Sequence, residues 1–271
     1  MPSEDELNIY YENGFPYSAG LHNEEIIRKR SRIILKKINQ LAPYARSLCD
    51  VGSGYGFFID EAKKQGYRSL GIEPCKTLVD YEKTHLHSQS FNGTLEEFVK
   101  KFGKQFDVVT CIHVIEHIPH VKKFTSLLFR LVKPGGIVYL ETPNADSHLL
   151  YAEKNNYTFL TPPEHVWIFS QMGISALFPS NTEIVHSHTY SYPEHFMGIL
   201  KALFFRSSLK TAETNAANNG TKKDATTREQ LHNHWKRLSY CVFDKTLAPL
   251  FTHVLNLYHK GSILELYIKK K

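Results

Sequence analysis

The sequence predicts an α/β fold: a mostly parallel sheet with helices on both faces. Two observations predict it. Short apolar runs of strand length alternate with amphipathic stretches of helical length from Pro43 to about Asn144, with crossovers long enough to return each strand parallel to the last. At 271 residues, 42% apolar and 22% charged, the chain is also large enough for one α/β domain carrying an insertion.

Residues 1–43 form an N-terminal helical segment. Its aromatic opening, YYENGFPYS, precedes HNEEIIRKRSRIILKKINQL, where Ile26, Ile27, Ile33, Ile34, Leu35 and Ile38 recur at helical spacing and Asn23 is placed to cap. The core spans 44–193. SLCDV reads as a buried strand, FFIDEAKKQG as a helix ended by Gly66, SLGIEP as a second strand and KTLVDYEKTH as a helix. A third strand falls near HSQSFNG, and LEEFVKKFG is a helix stopped by Gly103. FDVVTCI is the fourth strand. VKKFTSLLFRLV is an amphipathic helix terminated by Lys133-Pro134-Gly135-Gly136, and GIVYLETP follows as a strand. Beyond Asn144 a loop-rich stretch leads to a helix, SQMGISALF, and a strand, TEIVHSHTYS. Residues 194–260 read as a helical insertion, with HFMGILKALFF and LAPLFTHVLNLY as apolar helices and a mobile polar loop at about 207–227. Residues 261–271 supply the last strand, SILELYIKK, which makes seven in all.

Composition narrows the function. No run reaches the ~18 apolar residues of a membrane span, and the acidic start MPSEDELNIYYENG is unlike a secretory signal. Cys49, Cys75, Cys111 and Cys241 lie far apart, which argues against a disulfide framework or a cysteine zinc site and makes the cytoplasm the expected compartment. The formal charge of +6 is spread over small groups, among them Arg28-Lys29-Arg30 and Lys269 to Lys271. These suit solvated helix faces, or attraction of anionic partners; no basic stripe interleaved with aromatics points to nucleic acid.

The informative stretch is LCDVGSGYGFF. The phosphate-loop template fails because no lysine follows, and the dinucleotide template G-x-G-x-x-G meets Phe57 in place of its third glycine. What remains is D-x-G-x-G-x-G, with Asp50, Gly52, Gly54 and Gly56. Such a turn brings backbone close to a ligand at a helix N-terminus, and Glu73, ending the second strand in GIEP, is suited to accept both hydroxyls of a ribose. The ligand implied is an adenosine with an amino-acid tail.

Taken with FDVVTCIHVIEHI and LVKPGGIVYLETPN, these motifs resemble the class I S-adenosylmethionine-dependent methyltransferases, in the branch of ubiquinone-biosynthesis and sugar or natural-product O-methyltransferases. The resemblance is clear from Ser47 to Pro143, looser through EHVWIFS to Glu183, and does not cover His195 to Tyr258. It implies a Rossmann-like fold and S-adenosyl-L-methionine as cofactor. Asp50, Gly52, Ser53, Gly54 and Gly56 would hold the methionine portion, Glu73 and Pro74 the ribose and adenine, Thr94 and Leu95 the adenine edge, and Cys111, Ile112 and His113 would pass near the sulfonium. Where many relatives carry cysteine after the first glycine, this chain has Ser53.

Methyl transfer to a hydroxyl needs a base. His113, Glu116 and His117, at i, i+3 and i+4, are the candidates. Some relatives carry Glu-x-x-Glu-His here with a later histidine and bind a divalent ion. Glu116, His117 and His165 are the matching metal candidates, but His113 in place of the first glutamate disfavours a hard ion, so no metal is expected. The expected acceptor is oxygen on a small molecule, sugar or glycan. The alternatives are metal-assisted 2′-O-methylation of an RNA ribose and a non-catalytic methyltransferase-like subunit. The aromatic cluster Tyr10, Tyr11, Phe15 and Tyr17 suits either a lid over the cofactor or packing on the sheet. The apolar insertion suits a helical cap, a homodimer contact or a weak membrane-surface contact.

Overall fold

The computed structural model describes residues 21, 23–86, 88–162, 164–192 and 258–271. The readings for the aromatic segment before His22, for nearly all of the insertion and for Cys241 lie outside the described residues. The elements run α1 (Glu24–Leu41), β1 (Ser47–Val51), α2 (Phe57–Lys64), β2 (Arg68–Glu73), α3 (Lys76–His85), β3 (Ser90–Asn92), α4 (Leu95–Phe102), β4 (Phe106–Ile112), α5 (Val121–Leu131), β5 (Val132–Pro143), α6 (His148–Glu153), α7 (Gln171–Ser175), β6 (Thr182–Tyr190) and β7 (Ile263–Lys270). A 3₁₀ turn, Ile115–His117, lies between β4 and α5.

The seven strands form one sheet in the order β3-β2-β1-β4-β5-β7-β6. The pairs β1–β2, β1–β4, β2–β3 and β4–β5 are parallel, so the strands end together on one edge. The order reverses between β1 and β4, the crevice where ligands of doubly wound sheets bind. Val51 is level with Ile72 and Cys111, and Ile112 with Glu141. Register alone therefore brings the glycine turn, Glu73, His113 and Glu141 to the same edge.

The chain divides into two compact units. One comprises residues up to Pro143 with 161–187 and 265–271, the other 144–160 and 188–264. The core of the first is made by Ile34, Leu35 and Ile38 of α1, Leu48, Phe58, Ile59, Ala62, Val108, Ile137, Tyr139 and Tyr267, all buried. In the second, Asn144 donates through its backbone N–H to the Ser262 carbonyl at 2.9 Å and through its side chain to that of Gly261 at 2.8 Å.

Three sequence expectations need correction. Asn23 gives α1 no side-chain cap; its carbonyl instead accepts the Ile27 N–H at 2.9 Å. Lys133-Pro134-Gly135-Gly136 is not a loop between helix and strand, because β5 begins at Val132, which pairs with Phe106 before the register shifts. Nor is Arg28-Lys29-Arg30 simply a solvated group. Arg28 bridges to Asp60 at 2.5 Å and to Glu61 at 2.9 Å on α2, while Arg30 reaches Glu141 at 3.1 Å and also pairs with Glu265.

Candidate active site

Each glycine of the turn has its own reason. Gly52, Gly54 and Gly56 all have positive φ, at 78°, 55° and 79°, a region that costs a side-chain-bearing residue about 1–2 kcal/mol. A Cβ on Gly52 would overlap the Val114 side chain, and one on Gly56 would sit 2.5 Å from Glu82 Cγ. Gly54 is different: a Cβ there would meet nothing within 4 Å. Two glycines thus make room for the protein, and the middle one faces open space that a ligand can fill.

Two carboxylates attend the turn. Glu73 accepts the Gly54 N–H on Oε2 at 2.9 Å and the Cys75 N–H on Oε1 at 3.0 Å. Burial raises its pKa, against those two bonds. Asp50 accepts the Thr110 hydroxyl at 2.6 Å. Burial pushes it up to about 7, with Thr110 opposing and Glu73 and Glu82 reinforcing. Two buried acids beside one turn favour a positively charged ligand. Ser53 stands 3.0 Å from the Ser90 hydroxyl. Thr94, expected at the adenine edge, spends its side chain in a capping box with Glu97, and Leu95 is buried. Cys111 is wholly buried, its thiol pushed up by burial. Ile112 packs on the core cluster.

The second group stands where β4 ends. His113 has φ of 52°, unusual for histidine, and is pinned on three sides. Its N–H donates to the Glu141 carbonyl at 2.9 Å, Nδ1 lies 3.2 Å from Glu116 Oε1, and Nε2 lies 3.2 Å from Glu141 Oε1. Burial opposes a proton on this ring, but Glu116 and Glu141 outweigh it and push the pKa up to about 10. Both ring nitrogens therefore carry protons at neutral pH. An imidazolium shared by two carboxylates has no lone pair to offer, so His113 drops out as a base. His117 differs. Burial lowers its pKa, and its Nδ1 lies 2.9 Å from the Glu164 carbonyl. A carbonyl only accepts, which places the proton on Nδ1 and the lone pair on Nε2. The His165 ring lies 4.7 Å from that of His117, and the Val166 and Trp167 N–H groups both donate to the Glu116 carbonyl, at 2.9 and 3.1 Å, docking EHVWIFS on the turn.

The profile of the methyltransferase domain matches residues 26–181, more than half of the chain. The chain belongs to the class I methyltransferase family. The chain is 28% identical over 109 residues to a ubiquinone biosynthesis O-methyltransferase of Coxiella burnetii, a match covering 39% of this chain and 47% of that one; it spans about half the length of the curated relative. Among solved structures, a SAM-dependent methyltransferase from Archaeoglobus fulgidus superposes with a TM-score of 0.55 at 15% identity, covering 99% of this chain and all of that one. The plantazolicin methyltransferase BpumL, in complex with SAH, gives 0.58 at 10% identity, covering 98% and 94%. These last two likenesses are of fold. No described helix of the methyltransferase is long and apolar enough to cross a membrane.

Ligand atoms of Glu116, His117 and His165 lie within 4.8 Å of one another, but their chemistry does not fit a divalent ion. Glu116 is fully buried, with Oε1 beside His113 Nδ1 and Oε2 accepting the Thr142 hydroxyl at 3.0 Å, so its negative charge is already shared with a cation. The cationic ring of His113 stands where an ion would want negative charge. The sequence reading missed the partners that set this pattern. Glu141 accepts the Tyr139 hydroxyl as well as Arg30, and the Tyr139 oxygen also lies 2.8 Å from Glu265 Oε1. The available signal was a lone acid in apolar strand text, in VYLETP and again in SILELYI.

Proposed function

We propose that the protein transfers the methyl group of S-adenosylmethionine to an oxygen of a small-molecule or glycan acceptor, with His117 as general base. One observation carries the reading: the glycine turn, where Gly54 faces open space and donates to buried Glu73, shares a sheet edge with His117, whose Nδ1 donates to the Glu164 carbonyl. When bound, S-adenosylmethionine supplies a methyl group already activated on a cationic sulfur. The buried acids would attract its positive charge, and Glu73 would hold the ribose. The chain must then align an acceptor hydroxyl in line with the carbon–sulfur bond. His117 Nε2 would take the proton of that hydroxyl as its oxygen accepted the methyl group and the sulfur left as a neutral thioether. His113 is a positioning residue that holds Glu116 and Glu141 in place. Oxygen as acceptor draws support from the Coxiella relative, an O-methyltransferase.

Calorimetry tests the cofactor half: S-adenosylmethionine and S-adenosylhomocysteine are expected to bind, and a nicotinamide dinucleotide and a nucleoside triphosphate are not. Transfer of labelled methyl to a panel of phenols, catechols and sugars tests the rest. His117→Asn is expected to lower turnover by about 10²–10⁴-fold with cofactor affinity unchanged. Full turnover in that variant removes His117 as the base.

A further inference from the structure

Glu82 on α3 is used by neither the mechanism nor the core. It is 0% exposed and packs under Gly56. Its Oε2 accepts the Ser90 hydroxyl, and among the described residues its Oε1 has no hydrogen-bond partner. Ser90 has one hydroxyl proton and gives it to Glu82, so the 3.0 Å contact between Ser53 and Ser90 has Ser53 as donor. A directed chain therefore runs from Ser53, between two glycines of the turn, through Ser90 on β3 to Glu82. β2 is built around this chain: a Cβ on Gly71 would overlap the side chains of both serines.

The charged groups around Glu82 offer it little. Asp50 on β1 and Glu73 on β2 are both acids, and the cation acting on it is Lys83 of its own helix. A carboxylate kept buried with one oxygen unmatched weakens the fold, and such costs persist where they serve a site. We propose that Glu82 is a positioning residue for cofactor binding, its carboxylate acting through Ser90 to hold the Ser53 hydroxyl and the turn from Gly52 to Gly56. The inference rests on the reading of that turn as the S-adenosylmethionine site.

The test is a double-mutant cycle in the full chain, with Glu82→Met and Ser90→Ala read by calorimetry with S-adenosylhomocysteine. Each single variant is expected to weaken binding about tenfold, the value of one charged hydrogen bond, and the double variant no further, because both cut one chain. Without cofactor, Glu82→Met is expected to melt at or above the wild-type temperature, since it removes an unmatched buried carboxylate. Wild-type affinity is also expected to fall as Glu82 takes up a proton at low pH. Glu82→Met loses that component, leaving the dependence due to Asp50 and Glu73. Binding within twofold of wild type in Glu82→Met, additive effects in the cycle, or a binding loss tracking a loss of apo stability with Ser90→Ala unaffected would each overturn the proposal. If the wild type binds neither form of the cofactor, the reading of the turn fails and this inference fails with it; variants that bind normally overturn Glu82 alone.

Discussion

His113→Asn is the most direct probe of the acceptor side. Asparagine tolerates the positive φ at this position, so the variant removes the charge without straining the backbone. What it leaves behind is two carboxylates, Glu116 at 0% and Glu141 at 1% exposure, facing each other without the cation between them. Removing one partner of a buried pair costs about 3–5 kcal/mol. Two features reduce that here: the His113 side chain is 35% exposed, and Arg30 stays on Glu141. The expected loss is therefore about 2–3 kcal/mol, or roughly 5–10 °C in melting temperature. Its pH dependence has a definite sign. The raised pKa of His113, about 10, makes its contribution complete below the unfolded value near 6.5 and lost as pH climbs toward 10. Glu141, where burial is outweighed by His113 and Arg30, is held down at about 2, so its contribution is complete above the unfolded value near 4.5 and lost as pH falls toward 2. The gap between wild type and variant should be widest between about pH 4.5 and 6.5 and narrow on both sides. Denaturant unfolding across that range measures it. A gap under about 0.5 kcal/mol at pH 6, or one independent of pH, refutes the ion-pair account.

The glycines should separate stability from binding. Gly52→Ala meets Val114 and should cost more than 2 kcal/mol of stability, whereas Gly54→Ala should cost about 1 kcal/mol for its positive φ yet weaken S-adenosylhomocysteine binding more than tenfold. Paired melting and titration curves decide between these outcomes. Asp50→Asn keeps an acceptor for Thr110, and because the folded-state pKa of Asp50 lies above the unfolded one, the variant should melt higher than wild type at pH 8, with the gain vanishing toward pH 4. The same variant should lose cofactor binding. Exhaustive chelation should leave methyl transfer unchanged; activity lost to chelation and restored by a divalent ion contradicts the account of Glu116.

Local patterns were legible where the cause is local. Three glycines after SLCDV and Gly103 after LEEFVKKF act within a turn of themselves, and the structure has them there; Ser170, read as part of a helix, caps it instead. Partners of buried charges were not legible, because they are fixed by which elements pack together. Arg28 and Arg30 look like any basic run on a helix; only the docking of α1 on α2 and beside β5 and β7 makes them inward ion pairs. His113 shows the same limit within the site. Its spacing to Glu116 and His117 was plain, but its charge depends on Glu141, a residue on the neighbouring strand. Thr94 was expected only at the adenine edge, yet it stands before a helix with Glu97 three residues on, a pattern that also makes a capping box.

The polar line from Arg30 through Glu265, Tyr139 and Glu141 to His113 joins residues from both extremities of the described chain. The strand bearing Glu265 slots between β5 and β6, though the ribosome makes it after both. A nascent polypeptide thus has β1 to β5 and the glycine turn made while Arg30 and Tyr139, already sharing Glu141, still lack Glu265. The network behind His113 gains its second acid only when that late strand inserts, so the setting of this ring depends on segments far apart in the chain.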